Sequence, residues 1–215
     1  MTEELDVWRI KDDNELNGLR DRAELQKLLL ESEVLKYSIN RTNYSMPGKQ
    51  TLLITDVSDF TATGVLDTLL YHESNTPGKP IRIRLLSPGG SVFAGFAIYD
   101  AVKSSASRGH EIEVTGYGYT ASMAVTILQA GTVRRLRPNA YMMIHEVSSG
   151  MLGKYSEMKD EVDFVNRLTN RVWDALAERS TLSAAQIKRK CARKDWWLDA
   201  EEALKYGFID EIATD

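Results

Sequence analysis

Residues 81–102 read IRIRLLSPGGSVFAGFAIYDAV. Ile81 to Leu86 is a strand, Ser87 to Ser91 a turn built on Pro-Gly-Gly, and Phe93 to Val102 a helix. The same grammar returns in residues 111–129, EIEVTGYGYTASMAVTILQ. There Glu111 to Tyr117 is a strand, a turn of small residues follows, and Ala121 to Gln129 is a helix. Strands alternating with helices predict an α/β domain with a largely parallel sheet, whose ligand sites lie at the carboxyl ends of the strands. Ser87–Ser91 and Tyr119–Met123 sit at such ends.

Working outward, Thr51 to Val57 reads as a strand. The helix after it sets Ala62, Val65, Leu66, Leu69 and Leu70 at amphipathic spacing, and SNTPGKP at 74–80 turns the chain. Downstream lie two short strands, Thr132 to Arg135 and Tyr141 to His145, and then a long helix from Lys154 to Glu178. Val165, Leu168, Val172 and Leu176 mark its apolar face. Upstream, Asp12 to Tyr37 has a charged helical pattern with Leu25, Leu28, Leu29 and Leu35 on one face. NRTNYSMPGKQ at 40–50 reads as a boundary loop. The expected organisation is a largely helical extension over 1–49 and one core domain over 50–215.

A net charge of −4 offers no electrostatic footprint for nucleic acid. The single cysteine, Cys191, forbids an intrachain disulfide. Lys190, Arg193 and Lys194 lie close enough in sequence to lower its thiol pKa, yet the plainer reading is structural. The first twenty residues are too charged for a signal peptide or membrane anchor, so a cytoplasmic location is expected.

A nucleophilic hydrolase needs a nucleophile, a base, a group that orients the base, and donors for the oxyanion. Of three histidines, His72 in YHES and His110 in RGHEIE have polar surroundings and are expected to face solvent. His145 closes the apolar run AYMMIH, where a core histidine and a general base are equally good readings. Ser122 stands where a strand meets a helix, beside backbone N–H groups without helical partners, which suits a nucleophile. It equally suits a capping serine, and the segment is not the G-x-S-x-G elbow. The SPGG turn at 87–90 brings bare backbone N–H groups toward a substrate, or is simply tight. Among the acids, Asp199 with Glu202 forms a capping box for the helix from Ala200 to Tyr206, which Gly207 ends. Asp195 is free to orient a base, or to pair with Lys194 at the surface.

Taken together these segments resemble the ClpP family of self-compartmentalising serine peptidases. SPGGSVFAGFAIYDAV looks like the family's SPGG-x-x-x-x-G-x-x-I-Y-D segment, ASM at 121–123 matches its nucleophile motif, and PNAYMMIH at 138–145 its P-N-x-x-x-M-I-H motif. WLDAEEALKYGFIDEI at 197–212 is similar to its C-terminal L-x-A-x-E-A-x-x-Y-G-x-x-D. The resemblance implies a ClpP/crotonase-like spiral core of strand-helix units with a long handle helix, to which the N-terminal helical extension is added. It implies Ser122 as nucleophile, His145 as base and then acid, Asp195 as orienting carboxylate, and Gly90 and Met123 as oxyanion-hole donors. No metal or cofactor is required. A base must be neutral, so activity is expected to fall as the imidazole of His145 protonates in acid.

The partners implied are polypeptide substrates and further copies of the chain in two stacked heptameric rings, with SSGMLGK at 148–154 and the helix after it as the handle between rings. An AAA+ unfoldase is the family's usual partner, but Thr2 to Gln50 departs from the short segment that contacts it. Phage-encoded relatives that mature capsids share the catalytic segments and suit such an altered N-terminus. A crotonase-fold acyl-CoA hydratase or isomerase would need acidic residues in its acyl pocket instead. A non-catalytic ring subunit would usually lack a triad member, and none is missing here.

Overall fold

A computed structural model describes residues 51–148, 150 and 154–214, together with Lys27. The predicted helix over 12–37, the loop over 40–50 and the boundary between 49 and 50 lie outside the described residues, as do Ser149 and 151–153 of the predicted handle loop. The fold below belongs to the unit Thr42–Asp215.

Seven strands and six helices follow in the order β1 (Thr51–Ile54), α1 (Asp59–Asn75), β2 (Ile81–Ser87), α2 (Val92–Ser107), β3 (Ile112–Ala121), α3 (Met123–Ala130), β4 (Val133–Leu136), β5 (Tyr141–Ile144), α4 (Tyr155–Ala177), α5 (Ala184–Cys191), β6 (Trp196–Leu198), α6 (Ala200–Lys205) and β7 (Glu211–Ile212). The strands form one sheet in the order β1-β2-β3-β4-β7, with β5 joined to β3 and β6 to β5. Every pairing is parallel except β5 with β6. The α/β class and its parallel sheet are as the alternating pattern predicts.

Several expected boundaries move; α2, for one, runs on to Ser107, past the expected end at Val102. β1 ends at Ile54, and Val57 makes only an isolated bridge to Gly90. β3 continues past Tyr117 to Ala121, because its first half pairs β4 while Tyr119, Thr120 and Ala121 pair β5. A strand with two successive neighbours outlasts the small residues that would otherwise end it.

Ile81, Ile83 and Leu85 of β2 are fully buried, with Ile98, Val114, Ile127, Leu128, Trp173 and Phe208. Each such side chain contributes roughly 1.5–3 kcal/mol by leaving water. Ser58 caps α1 by accepting from the Thr61 N–H, and Ser91 caps α2 by accepting from the Ala94 N–H. Asp199 and Glu202 form the expected capping box of α6, and Gly207 follows it at φ +74°.

His72 and His110 overturn the expectation of solvent-facing rings, for both are buried. His110 Nδ1 lies 2.8 Å from the Lys79 carbonyl oxygen, and His72 Nδ1 lies 3.2 Å from Thr76 Oγ1. Burial, assisted by the charge of His110, holds the pKa of His72 below its ordinary value. The polar neighbours that suggested exposure occupy the outer side of the same turns.

Candidate active site

Three strand ends converge at the carboxyl edge of β3. β3 ends at Ala121, which stands opposite Met143 of β5, and the Ser122 N–H donates to the Met143 carbonyl at 2.8 Å. β5 runs antiparallel to β6 with Met143 opposite Trp197 and Ile144 opposite Trp196. One residue further in that register, His145 leaves β5 beside Asp195, which enters β6. The sheet thereby gathers Ser122, His145 and Asp195 from three distant parts of the chain.

Ser122 has φ 55° and ψ −126°, and its side chain makes no capping hydrogen bond to α3. Positive φ in a residue with a Cβ is uncommon and costs on the order of 1–3 kcal/mol. A serine serving as a cap would bond an N–H of the first turn, as Ser58 and Ser91 do. The half-buried Ser122 instead makes no hydrogen bond through its hydroxyl among the described residues.

The SPGG turn is packed against this point. A Cβ built on Gly89 would stand 2.7 Å from Ser122 Cβ, 2.8 Å from the Ala121 oxygen and 3.0 Å from the Met123 nitrogen. Only glycine fits there, and its φ of +96° suits glycine as well. The buried Ser87 hydroxyl accepts the Gly89 N–H at 3.1 Å, while Val57 and the turn exchange bonds through the Gly89 carbonyl and the Ser91 N–H. Among the described residues, no hydrogen bond uses the N–H of Gly90 or of Met123. Met123 directly follows Ser122, and Gly90 directly follows the Gly89 that packs against it. Gly95 completes the fit from below, since a Cβ there would strike Met123 Cε at 2.4 Å, so α2 can approach α3 closely.

His145 is half-buried and Asp195 exposed. Among the described residues, no hydrogen bond joins the side chains of Ser122, His145 and Asp195 to one another, and no ion pair joins Asp195 to Lys194. Serine-to-base bonds are often long without substrate and tighten in the complex. Cys191 is buried, and burial pushes its thiol up to about 11 despite the neighbouring lysines, which fits the structural reading. Sequence reasoning passed over Ser87 and Gly89 as individuals; the S-P-G-G string contained both, but not their fit against Ser122.

A family model described as Clp protease matches residues 38–215. The ATP-dependent Clp protease proteolytic subunit of Porphyromonas gingivalis is 37% identical over 160 residues, covering 74% of this chain and 70% of that protein. The proteins of the same name from Bacteroides fragilis and Bacteroides thetaiotaomicron are each 35% identical over 160 residues, covering 74% of this chain and 75% and 71% of theirs. No helix among the described residues is long and apolar enough to cross a membrane. The chain belongs to the Clp protease family and is a serine-type peptidase subunit.

Proposed function

We propose that Ser122, His145 and Asp195 hydrolyse peptide bonds of unfolded polypeptides inside a ring of identical subunits. The observation that carries this reading is Ser122 itself, strained at φ 55° with its hydroxyl withheld from the cap. His145 takes the hydroxyl proton as Ser122 Oγ attacks the scissile carbonyl. The Gly90 and Met123 N–H groups receive the negative charge on the tetrahedral oxygen. The imidazolium then protonates the departing amine, leaving an ester on Ser122, and water deprotonated by His145 releases the acid and restores the serine. Asp195 accepts from the other ring nitrogen and keeps the base in the working tautomer.

The ring assembly rests on the outer half of α4. Tyr155, Met158 and Val162 are 80%, 38% and 44% exposed and recur at helical spacing, while Val172 and Leu176 further along are buried. An apolar row continued beyond the domain's own core suits a contact with a second copy. By likeness to relatives named ATP-dependent, an AAA+ unfoldase would deliver folded substrates.

Purified protein and its Ser122→Ala variant, given a fluorogenic peptide and casein without any ATPase, test the chemistry. Wild type is expected to cleave and the variant to lose roughly 10⁶-fold in rate. Equal cleavage by both would overturn the assignment of Ser122. Light scattering tests the assembly, and a mass of one subunit would overturn it.

A further inference from the structure

Asp195 is carried by a short exposed connection. α5 ends at Cys191, which is buried, and β6 begins at Trp196, which is half-buried. Between them Ala192, Arg193, Lys194 and Asp195 are exposed. The chain turns through Arg193 at φ 57°, and the Lys194 N–H closes the turn on the Cys191 carbonyl at 3.2 Å. A residue in such a segment is held by the anchors on either side of it, since few of its own atoms meet the core. Burial above all, and after it the charges of Glu146 and Asp195, raise the Cys191 thiol. The first anchor therefore lies within electrostatic reach of Asp195 and of the residue that follows His145.

The second anchor is Trp196, which stands opposite Ile144 in the β5–β6 ladder. Its ring meets that of Tyr206 edge-on, with centroids 5.3 Å apart, and that of the fully buried Phe208 at 5.8 Å. Lys190, in the last turn of α5, sets its ammonium 4.7 Å from the Trp196 centroid and 4.7 Å from the Tyr206 centroid. It also donates to Tyr206 Oη at 3.3 Å. An ammonium within about 6 Å of a ring centroid is attracted by the ring's quadrupole, more strongly when partly withdrawn from water, as half-buried Lys190 is. One cation thus ties α5, the start of β6 and the end of α6 together.

We propose that Lys190 is a positioning residue for catalysis: by clamping the Trp196 ring against Tyr206 it fixes where β6 begins, and so where Asp195 stands beside His145. The inference rests on the reading of Asp195 as the orienting carboxylate. Lys190 acts through Trp196 and Asp195 and touches no reacting atom. A staple that merely joined α5 to α6 would cost stability when removed and leave the chemistry intact.

The test is peptide hydrolysis by the full-length chain, at a temperature where thermal melts show every variant folded. Lys190→Met keeps an unbranched stem and removes the charge. Its kcat is expected to fall roughly ten- to hundredfold with KM held within about twofold, since a small misplacement of a catalytic group costs up to about 10²-fold. Lys190→Gln, measured beside it, should fall likewise. Lys190→Arg, which keeps a cation over the two rings, should stay within about threefold of wild type. Lys188→Gln, exposed on the same helix, should leave kcat unchanged. The sharpest comparison uses Asp195→Asn, expected to lie about 10⁴-fold below wild type. In that background Lys190→Met should lower kcat no further, because a group that acts through Asp195 has nothing left to orient. Unchanged kcat in both Lys190→Met and Lys190→Gln, with Asp195→Asn depressed, would overturn the clamp and leave the triad standing. A Lys190→Met loss that multiplies in full with that of Asp195→Asn would also overturn it, as the mark of a general structural role. Wild-type kcat in Asp195→Asn would overturn the triad reading and the clamp with it.

Discussion

Ser91 and Ser122 both stand where the carboxyl end of a strand hands over to a helix, yet they do opposite things. Ser91 has φ −58° and accepts the Ala94 N–H at 3.3 Å, the ordinary work of a capping serine. Ser122 has φ 55° and caps nothing. The first residue lowers the energy of its helix; the second raises the energy of its turn and leaves its hydroxyl out of the cap. The residue type is shared, so the difference between a capping serine and the proposed nucleophile lies in the backbone that carries it and in what packs behind it.

The most damaging way to break this contrast is through Gly89, which backs Ser122. Gly89→Ala would place a methyl against Ser122 Cβ and the Ala121 oxygen at a φ of +96°, so the Ser122 turn must shift. Displacing a nucleophile by about 1 Å costs on the order of 10²-fold in rate. The expected result is a comparable drop in kcat for peptide hydrolysis, with stability lowered as well. A variant with unchanged kcat would mean that the turn does not position the serine.

The strand-turn-helix units were legible because period-two and period-3.6 patterns change over at Pro-Gly-Gly and at Thr-Ala-Ser, where the chain needs turns. The backbone strain of Ser122 was not, since nothing in the letters ASM distinguishes φ +55° from a capping conformation. Ser122, His145 and Asp195 were each ambiguous alone, and only the joint resemblance of four separated segments singled them out. What joins them is the register of β3, β5 and β6, a long-range property that local patterns do not encode. His72 and His110 were misread for the same reason. Their neighbours are polar, but the end of α1 and the turn before β3 fold their rings inward, and burial there is decided by tertiary packing.

On the ordinary side of the contrast, Ser91→Ala removes the cap of α2 and touches the Ser122 turn only through Val57, whose carbonyl is held by the Ser91 backbone. Loss of a serine cap costs typically about 1 kcal/mol. Chemical denaturation is expected to show that loss while peptide hydrolysis keeps its kcat within about twofold, since the backbone N–H of residue 91 survives the change. A large fall in kcat would place Ser91 within the reactive turn after all.

The finest test compares glycine at the two positions. Replacing a capping serine with glycine costs only a few tenths of a kcal/mol, so Ser91→Gly should be slightly destabilising. At Ser122 the sign should reverse. Glycine relieves strain on the order of 1–3 kcal/mol and loses roughly 0.5–1 kcal/mol to its greater freedom in the unfolded chain. Ser122→Gly is therefore expected to be more stable than Ser122→Ala by about 1 kcal/mol, with both lacking the hydroxyl and hence the activity. Alanine keeps the Cβ and with it the strain, so the pair separates backbone cost from side-chain chemistry. If denaturation midpoints for the two coincide, the positive φ of Ser122 carries no stored cost, and the distinction between the two serines rests on the unengaged hydroxyl alone.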